Sequence, residues 1–156
     1  MHKNKSMTES LKNAFFGMVR PFRTEINLRI HFMIGNLIIL FACFYGITKV
    51  EWAVLILTIA LVFCAELFNT AIENSVDTAT KEYRKTAKIA KDTAAGAVLF
   101  SVICAVAVGF FLFFEPVRIC QVLIHIFTTP IILIPSIILG TADILFVIFG
   151  GRKTNI

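Results

Sequence analysis

From Trp52 to Ala65 the chain carries no charged side chain, and the next twelve positions, E-L-F-N-T-A-I-E-N-S-V-D, bring in three carboxylates and two asparagines. Glu66, Asn69, Glu73 and Asp77 are spaced i, i+3, i+7 and i+11, which places them on one face of a helix as a single polar stripe. An apolar run of this kind demands a helix buried in lipid or protein. Carboxylates at its inner end are costly at membrane depth, so they face a protein interior or a wet cavity and mark function.

Composition agrees with a bilayer setting. The 156 residues are 58% hydrophobic and 16% charged, with 16 phenylalanines; soluble domains carry about 25% charged residues. The expected class is an all-α integral membrane protein. Its net charge of +5 does not point to nucleic acid, because the basic residues stand beside the apolar segments, as cytoplasmic loops require. Cys43, Cys64, Cys104 and Cys120 lie in or beside apolar runs without a C-x-x-C pair and read as small hydrophobes. Met1–Ser10 is polar, so membrane insertion is expected from the later segments.

Residues 6–24 suit an amphipathic helix at the membrane surface, broken near Pro21. Glu25, Asn27, Arg29 and His31 lead into a first span over Ile30–Ile47, with Glu25 and Arg29 expected as an i,i+4 pair. Lys49–Glu51 is a tight connection, and Trp52 opens a second span that reaches about Ile72. Residues 74–92 form a polar, partly helical linker. A third span covers about Thr93–Phe114, with a ridge of small residues, Ala97, Ser101, Ala105 and Gly109, suited to close helix packing. Residues 119–149 are too long for one straight crossing, so a short helix to about Phe127 and a fourth span over Pro130–Phe149 are expected. His125 and Asp143 are expected to make local or interhelical hydrogen bonds. Residues 1–115 are thus read as the membrane domain that carries the site, and 116–156 as a hydrophobic extension. Basic residues gather before span one, between spans two and three and after span four, while Lys49 and Arg118 stand alone in the other turns. The N-terminus, the 74–92 linker and the C-terminus are therefore expected in the cytoplasm, and the stripe with them.

Glu25, Glu66, Asn69, Glu73, Asp77, Lys91 and Asp92 then share one membrane face. Carboxylates with a lysine suit a hydrated divalent ion and a polyphosphate, since Mg²⁺ is held by one or two carboxylates together with phosphate oxygens. Glu66, the deepest carboxylate, is placed to take the proton of an alcohol offered from the lipid side. No G-x-x-x-x-G-K-[ST], G-x-G-x-x-G or kinase catalytic-loop pattern is present. On these grounds alone an ion or proton pathway competes evenly with phosphoryl transfer.

The stretch E-L-F-N-T-A-I-E-N-S-V-D, followed by E-Y-R and then A-K-D-T-A-A-G-A-V, resembles the signature of the small prokaryotic diacylglycerol kinases, in collinear order over roughly residues 8–114. The resemblance implies a three-span lipid kinase that forms homotrimers with shared active sites and uses Mg²⁺-ATP. By position it makes Glu66 the general base, Asn69 its neighbour in the motif, and Asp77 the residue that closes and orients the site. Glu25 and Glu73 become the metal-binding carboxylates, and Glu82, Tyr83, Lys91 and Asp92 nucleotide contacts. Arg84 replaces the histidine common after E-Y, and Asn13 is a further nucleotide candidate. No arginine stands near Ser6, and residues after Phe114 lie outside the pattern. The N-L-R-I-H stretch resembles the Gram-positive branch, which implies undecaprenol as acceptor, with diacylglycerol as the alternative.

Overall fold

The computed structural model describes residues 6–80, 82 and 84–151. Within them the chain is a succession of helices: α1 (Met7–Val19), α2 (Pro21–Thr24), α3 (Ile26–Tyr45), α4 (Lys49–Ala79), α5 (Lys85–Phe113), α6 (Pro116–Thr128) and α7 (Pro130–Phe149). The protein is an all-α membrane protein: α3, α4, α5 and α7 are each long and apolar enough to cross a bilayer. Prolines sit in the first turn of α2, α6 and α7, where the missing N–H costs no intrahelical bond. Ser6 caps α1 by accepting from the Glu9 amide at 3.3 Å.

Boundaries differ from the sequence expectation in one respect that matters. α4 runs unbroken for 31 residues, about 46 Å at the usual rise, so it projects beyond a roughly 30 Å apolar core. α5 begins at Lys85. The polar 74–92 segment is therefore mostly the ends of two helices, and the stripe rides on a rigid rod.

The turn between α3 and α4 is fixed by local chemistry. Gly46 takes the left-handed conformation (φ 73°) and donates to the Ala42 carbonyl at 3.1 Å, closing α3. Thr48 then opens α4 with a capping box: its hydroxyl accepts from the Glu51 amide at 3.3 Å, and the Glu51 carboxylate accepts from the Thr48 amide at 2.7 Å. At this same end the Tyr45 hydroxyl donates to the Phe113 carbonyl at 3.2 Å. Arg118 lies over the Tyr45 ring and donates to the Gly46 carbonyl at 3.2 Å.

α5 packs along α4, while α6 and α7 pack on α3. The buried apolar set is small, comprising Leu28, Ala42, Tyr45, Leu55, Val62, Ala94 and Val122 among the described residues. Most large apolar side chains of the spans, such as Phe68, Phe100 and Phe111, point outward, as helices facing lipid do. The four cysteines are free and exposed on those faces. In such surroundings association rests on polar ties. Asn36 of α3 donates to the buried Asp143 of α7 at 3.0 Å, which is the interhelical bond expected for that carboxylate. His125 makes a long contact of 3.5 Å with Thr129 and stands edge-on to Phe44 of α3, 6.5 Å between ring centres.

Gly46→Ala places a side chain in the left-handed region, at a cost of about 1–2 kcal/mol. Thermal unfolding of the detergent-solubilised chain should show a lower midpoint for Gly46→Ala. Gly17→Ala, whose added methyl meets open space, should leave the midpoint where it is.

Candidate active site

The site forms where the beginning of α3, the end of α4 and the beginning of α5 meet. Glu66 lies deep on α4 and is 3% exposed. Its Oε1 stands 3.1 Å from Nε2 of His31 on α3, and a buried carboxylate requires such a partner. Thr70, one turn further, donates to the Glu66 carbonyl at 3.0 Å, a local bond that keeps its hydroxyl from competing for the carboxylate. Next on the stripe, Asn69 donates from Nδ2 to the Glu73 carboxylate at 3.1 Å. Its Oδ1 is buried and without a hydrogen-bond partner. Asp77 accepts from Nζ of Lys91 on α5 through both oxygens, at 2.9 and 3.1 Å, which pins the ends of α4 and α5 together.

Three hollows surround these residues. A cleft of about 550 Å³ is lined by Glu73, Asp77, Glu82, Arg84, Lys91 and Asp92, among others, and so holds mixed charge next to the stripe. A second, of about 730 Å³, lies between α1–α2 and the other flank of α4, and is lined by Arg20, Glu25, Thr70 and Asn74. The third is an apolar groove of about 240 Å³ between α3, α4 and α5, bordered by Gly35, Ile38, Val62, Val102 and Ala105, with His31 on its wall. The ridge positions Ala105 and Gly109 face this groove; their small side chains keep it open.

Glu25 and Glu73 lie close enough to act electrostatically on Glu66, although they line different clefts. No cluster of three or more His, Cys, Asp or Glu side chains able to hold a metal ion is present among the described residues. A hydrated Mg²⁺ that borrows phosphate oxygens needs fewer protein ligands, and on the stripe the Glu73 carboxylate, which lines the mixed-charge cleft, is a hard oxygen donor of that kind. Asn13 is exposed on α1, apart from the residues lining the mixed-charge cleft. Tyr83 lies outside the described residues.

The expected Glu25–Arg29 pair does not form. Glu25 has φ −103° and ψ 118° and precedes the first turn of α3, so the helical spacing behind that expectation is absent. Arg29 is buried and donates instead to backbone carbonyls. His31 is the residue of the candidate site that sequence reasoning passed over, having placed it only among the polar groups entering span one. One signal did point to it. His31 is the last such group before the apolar run of its span, as Glu66 is the first carboxylate after the run of the next. In antiparallel neighbours those two positions come level.

The family model for prokaryotic diacylglycerol kinase matches residues 12–113, the stretch that holds every one of these groups. The chain belongs to the prokaryotic diacylglycerol kinase family. A diacylglycerol kinase of Synechocystis is 44% identical over 108 residues, which cover 69% of this chain and 62% of the relative's own length. An undecaprenol kinase of Bacillus subtilis is 33% identical over 105 residues, covering 67% of this chain and 85% of that protein. A diacylglycerol kinase of Haemophilus influenzae is 31% identical over 119 residues, covering 73% and 100%. No solved structure matches the chain. Within this family member, α6 and α7 follow the matched stretch.

Replacing His31 with leucine leaves the buried Glu66 carboxylate without its partner, at a cost of about 3–5 kcal/mol. His31→Leu should lower the thermal midpoint, and His31→Gln, which keeps a donor, should recover most of the loss.

Proposed function

We propose that the chain is an ATP-dependent lipid-alcohol kinase of the cell membrane that phosphorylates undecaprenol at the cytoplasmic face. The observation that carries this is an order along α4. Val62 borders the apolar groove, Glu66 follows one turn later, and Glu73 and Asp77 continue into the mixed-charge cleft. A hydrocarbon chain, its hydroxyl, a metal-bound phosphate and a nucleotide would then lie in sequence along one helix.

In the reaction Glu66 takes the proton of the alcohol, held in place by the hydrogen bond from His31. The freed oxygen bonds to the γ-phosphorus while the bond to the β-phosphate oxygen breaks, leaving ADP. Lys91, oriented by Asp77, meets phosphate charge from the α5 side, with Arg84 beside it. Glu82, Asp92 and Tyr83 are the remaining nucleotide contacts that the family resemblance implies, with Asn13 on α1 as a further one. Glu25 and Glu73, the carboxylates that the family resemblance assigns to the metal, would hold Mg²⁺, which would supply charge neutralisation during transfer.

Orientation follows from the distribution of basic residues. Arg20, Arg23, Arg84, Lys85, Lys88 and Lys91 belong to the end that carries the site, whereas Lys49 and Arg118 belong to the other. The excess marks the cytoplasmic side, where ATP is found. The working unit in this reading is a homotrimer with shared sites. α6 and α7 occupy α3, and no residue of the apolar window of α5 is fully buried within the chain, so subunit contacts would fall to α4 and α5.

Diacylglycerol is the second reading for the acceptor, favoured by the 44% identity to the Synechocystis diacylglycerol kinase. Both lipids offer a primary alcohol, and the N-L-R-I-H entry to span one tilts the choice to undecaprenol. Equimolar undecaprenol and diacylglycerol in mixed micelles with labelled ATP should yield mainly undecaprenyl phosphate, and removal of Mg²⁺ by a chelator should stop transfer. Label on neither lipid would overturn the kinase reading, and preferential label on diacylglycerol would reverse the acceptor. Lys91→Met should raise the KM for ATP by about tenfold, the loss of about 1.4 kcal/mol of phosphate binding, with little change in lipid KM.

A further inference from the structure

The α6–α7 hairpin begins after the family-matched stretch ends at residue 113, yet α7 returns to the level of the site. Arg29, 5% exposed, donates from Nη1 to the Phe22 carbonyl at 3.1 Å and from Nε to the Val147 carbonyl at 3.2 Å. Phe22 belongs to the short helix α2 and Val147 to the last turn of α7. One guanidinium thus bridges the C-terminal ends of two helices, where carbonyls lack intrahelical partners and the dipole is negative. No carboxylate pairs with Arg29 among the described residues. The chain beyond α7 passes close over it, since a carbon added at Gly151 would lie 2.9 Å from Nη2.

Further contacts run along the same seam. Phe146 of α7 lies 6.4 Å from Phe22 and 5.9 Å from Phe32, ring centre to ring centre. Asp143 accepts from Asn36 at 3.0 Å. Arg29 and His31 are two positions apart on α3, about 200° around the helix. When Arg29 is held toward α7, His31 is turned toward α4 and Glu66.

We propose that α7 is a latch that sets the rotation of the first turns of α3, with Arg29 as the positioning residue through which it presents His31 to Glu66. This assigns the C-terminal extension a role in the geometry of the site. Its consequence for catalysis rests on the kinase reading, but the latch itself does not.

Hydrogen exchange of the full chain in lipid nanodiscs, read over residues 20–31, tests the latch without reference to activity. Arg29→Met should raise exchange there by about tenfold or more through local opening. Arg29→Lys, a point charge in place of a fork, should fall between Arg29→Met and the unaltered chain. In the kinase assay Arg29→Met should lower kcat about tenfold with the KM for ATP held, because the nucleotide cleft lies between α4 and α5; such a fall is about 1.4 kcal/mol of transition-state stabilisation. Phe146→Ala, which loosens the latch from the other side, should give the same defect, and the double variant should be little worse than either single one. Unchanged exchange in Arg29→Met, or strictly additive losses in the double variant, would overturn the latch. Raised exchange in Arg29→Met, with no transfer by the unaltered chain to either lipid, would support the latch and overturn the kinase reading instead.

Discussion

A carboxylate set among apolar side chains has to be met by a donor, and in this protein that requirement fixes how α3 and α4 pair. An ionised group near a bilayer centre costs about 2.5–3.5 kcal/mol on insertion scales, and an unpaired buried charge costs about 3–5 kcal/mol when its partner is lost. Glu66 escapes this only while His31 stands 3.1 Å away. Lipid-exposed faces supply no hydrophobic drive between helices, so the spans are held in register by a few polar ties: Asn36 to Asp143, Tyr45 to the Phe113 carbonyl, Asp77 to Lys91, and Arg29 to the end of α7. Two of these polar pairs, Glu66 with His31 and Asp77 with Lys91, belong to the site itself.

Much of this was written in local patterns. Apolar runs of the right length gave four crossings, and prolines 116 and 130 marked the starts of α6 and α7. The stripe from Glu66 to Asp77 follows from helical spacing alone, and the Asn69–Glu73 hydrogen bond is its direct outcome. What stayed hidden depends on contacts distant in the chain. The partner of Glu66 is 35 positions earlier, and the partner of Arg29 is 118 positions later. The Glu25–Arg29 expectation failed because it took the helix to begin one residue too soon. With Glu25 extended, the two side chains are no longer one turn apart.

In the proposed reading, the length of α4 connects membrane to nucleotide. A helix that ended at about Ile72 would leave Glu73 and Asp77 in a mobile linker, with nothing to hold them at a set distance from Glu66. Because the helix continues to Ala79, the acceptor and donor ends of the proposed reaction would share one rigid element, with Lys91 on α5 tied to Asp77 at its end. Transfer of a phosphoryl group asks chiefly for positioning and charge neutralisation, so a rod that fixes both serves the chemistry with few residues. In the proposed latch the extension adds rigidity from the opposite side, by holding α3 where His31 can reach.

All of this turns on Glu66 as the group that receives the alcohol proton. The most direct measurement is rapid-quench transfer of labelled γ-phosphate from saturating Mg²⁺-ATP to undecaprenol, comparing the full chain with Glu66→Gln, which keeps the size and one hydrogen-bonding oxygen. Loss of transfer by at least about 100-fold, the usual contribution of a general base, with nucleotide affinity unchanged, is the predicted result. Transfer at an undiminished rate in Glu66→Gln would contradict it.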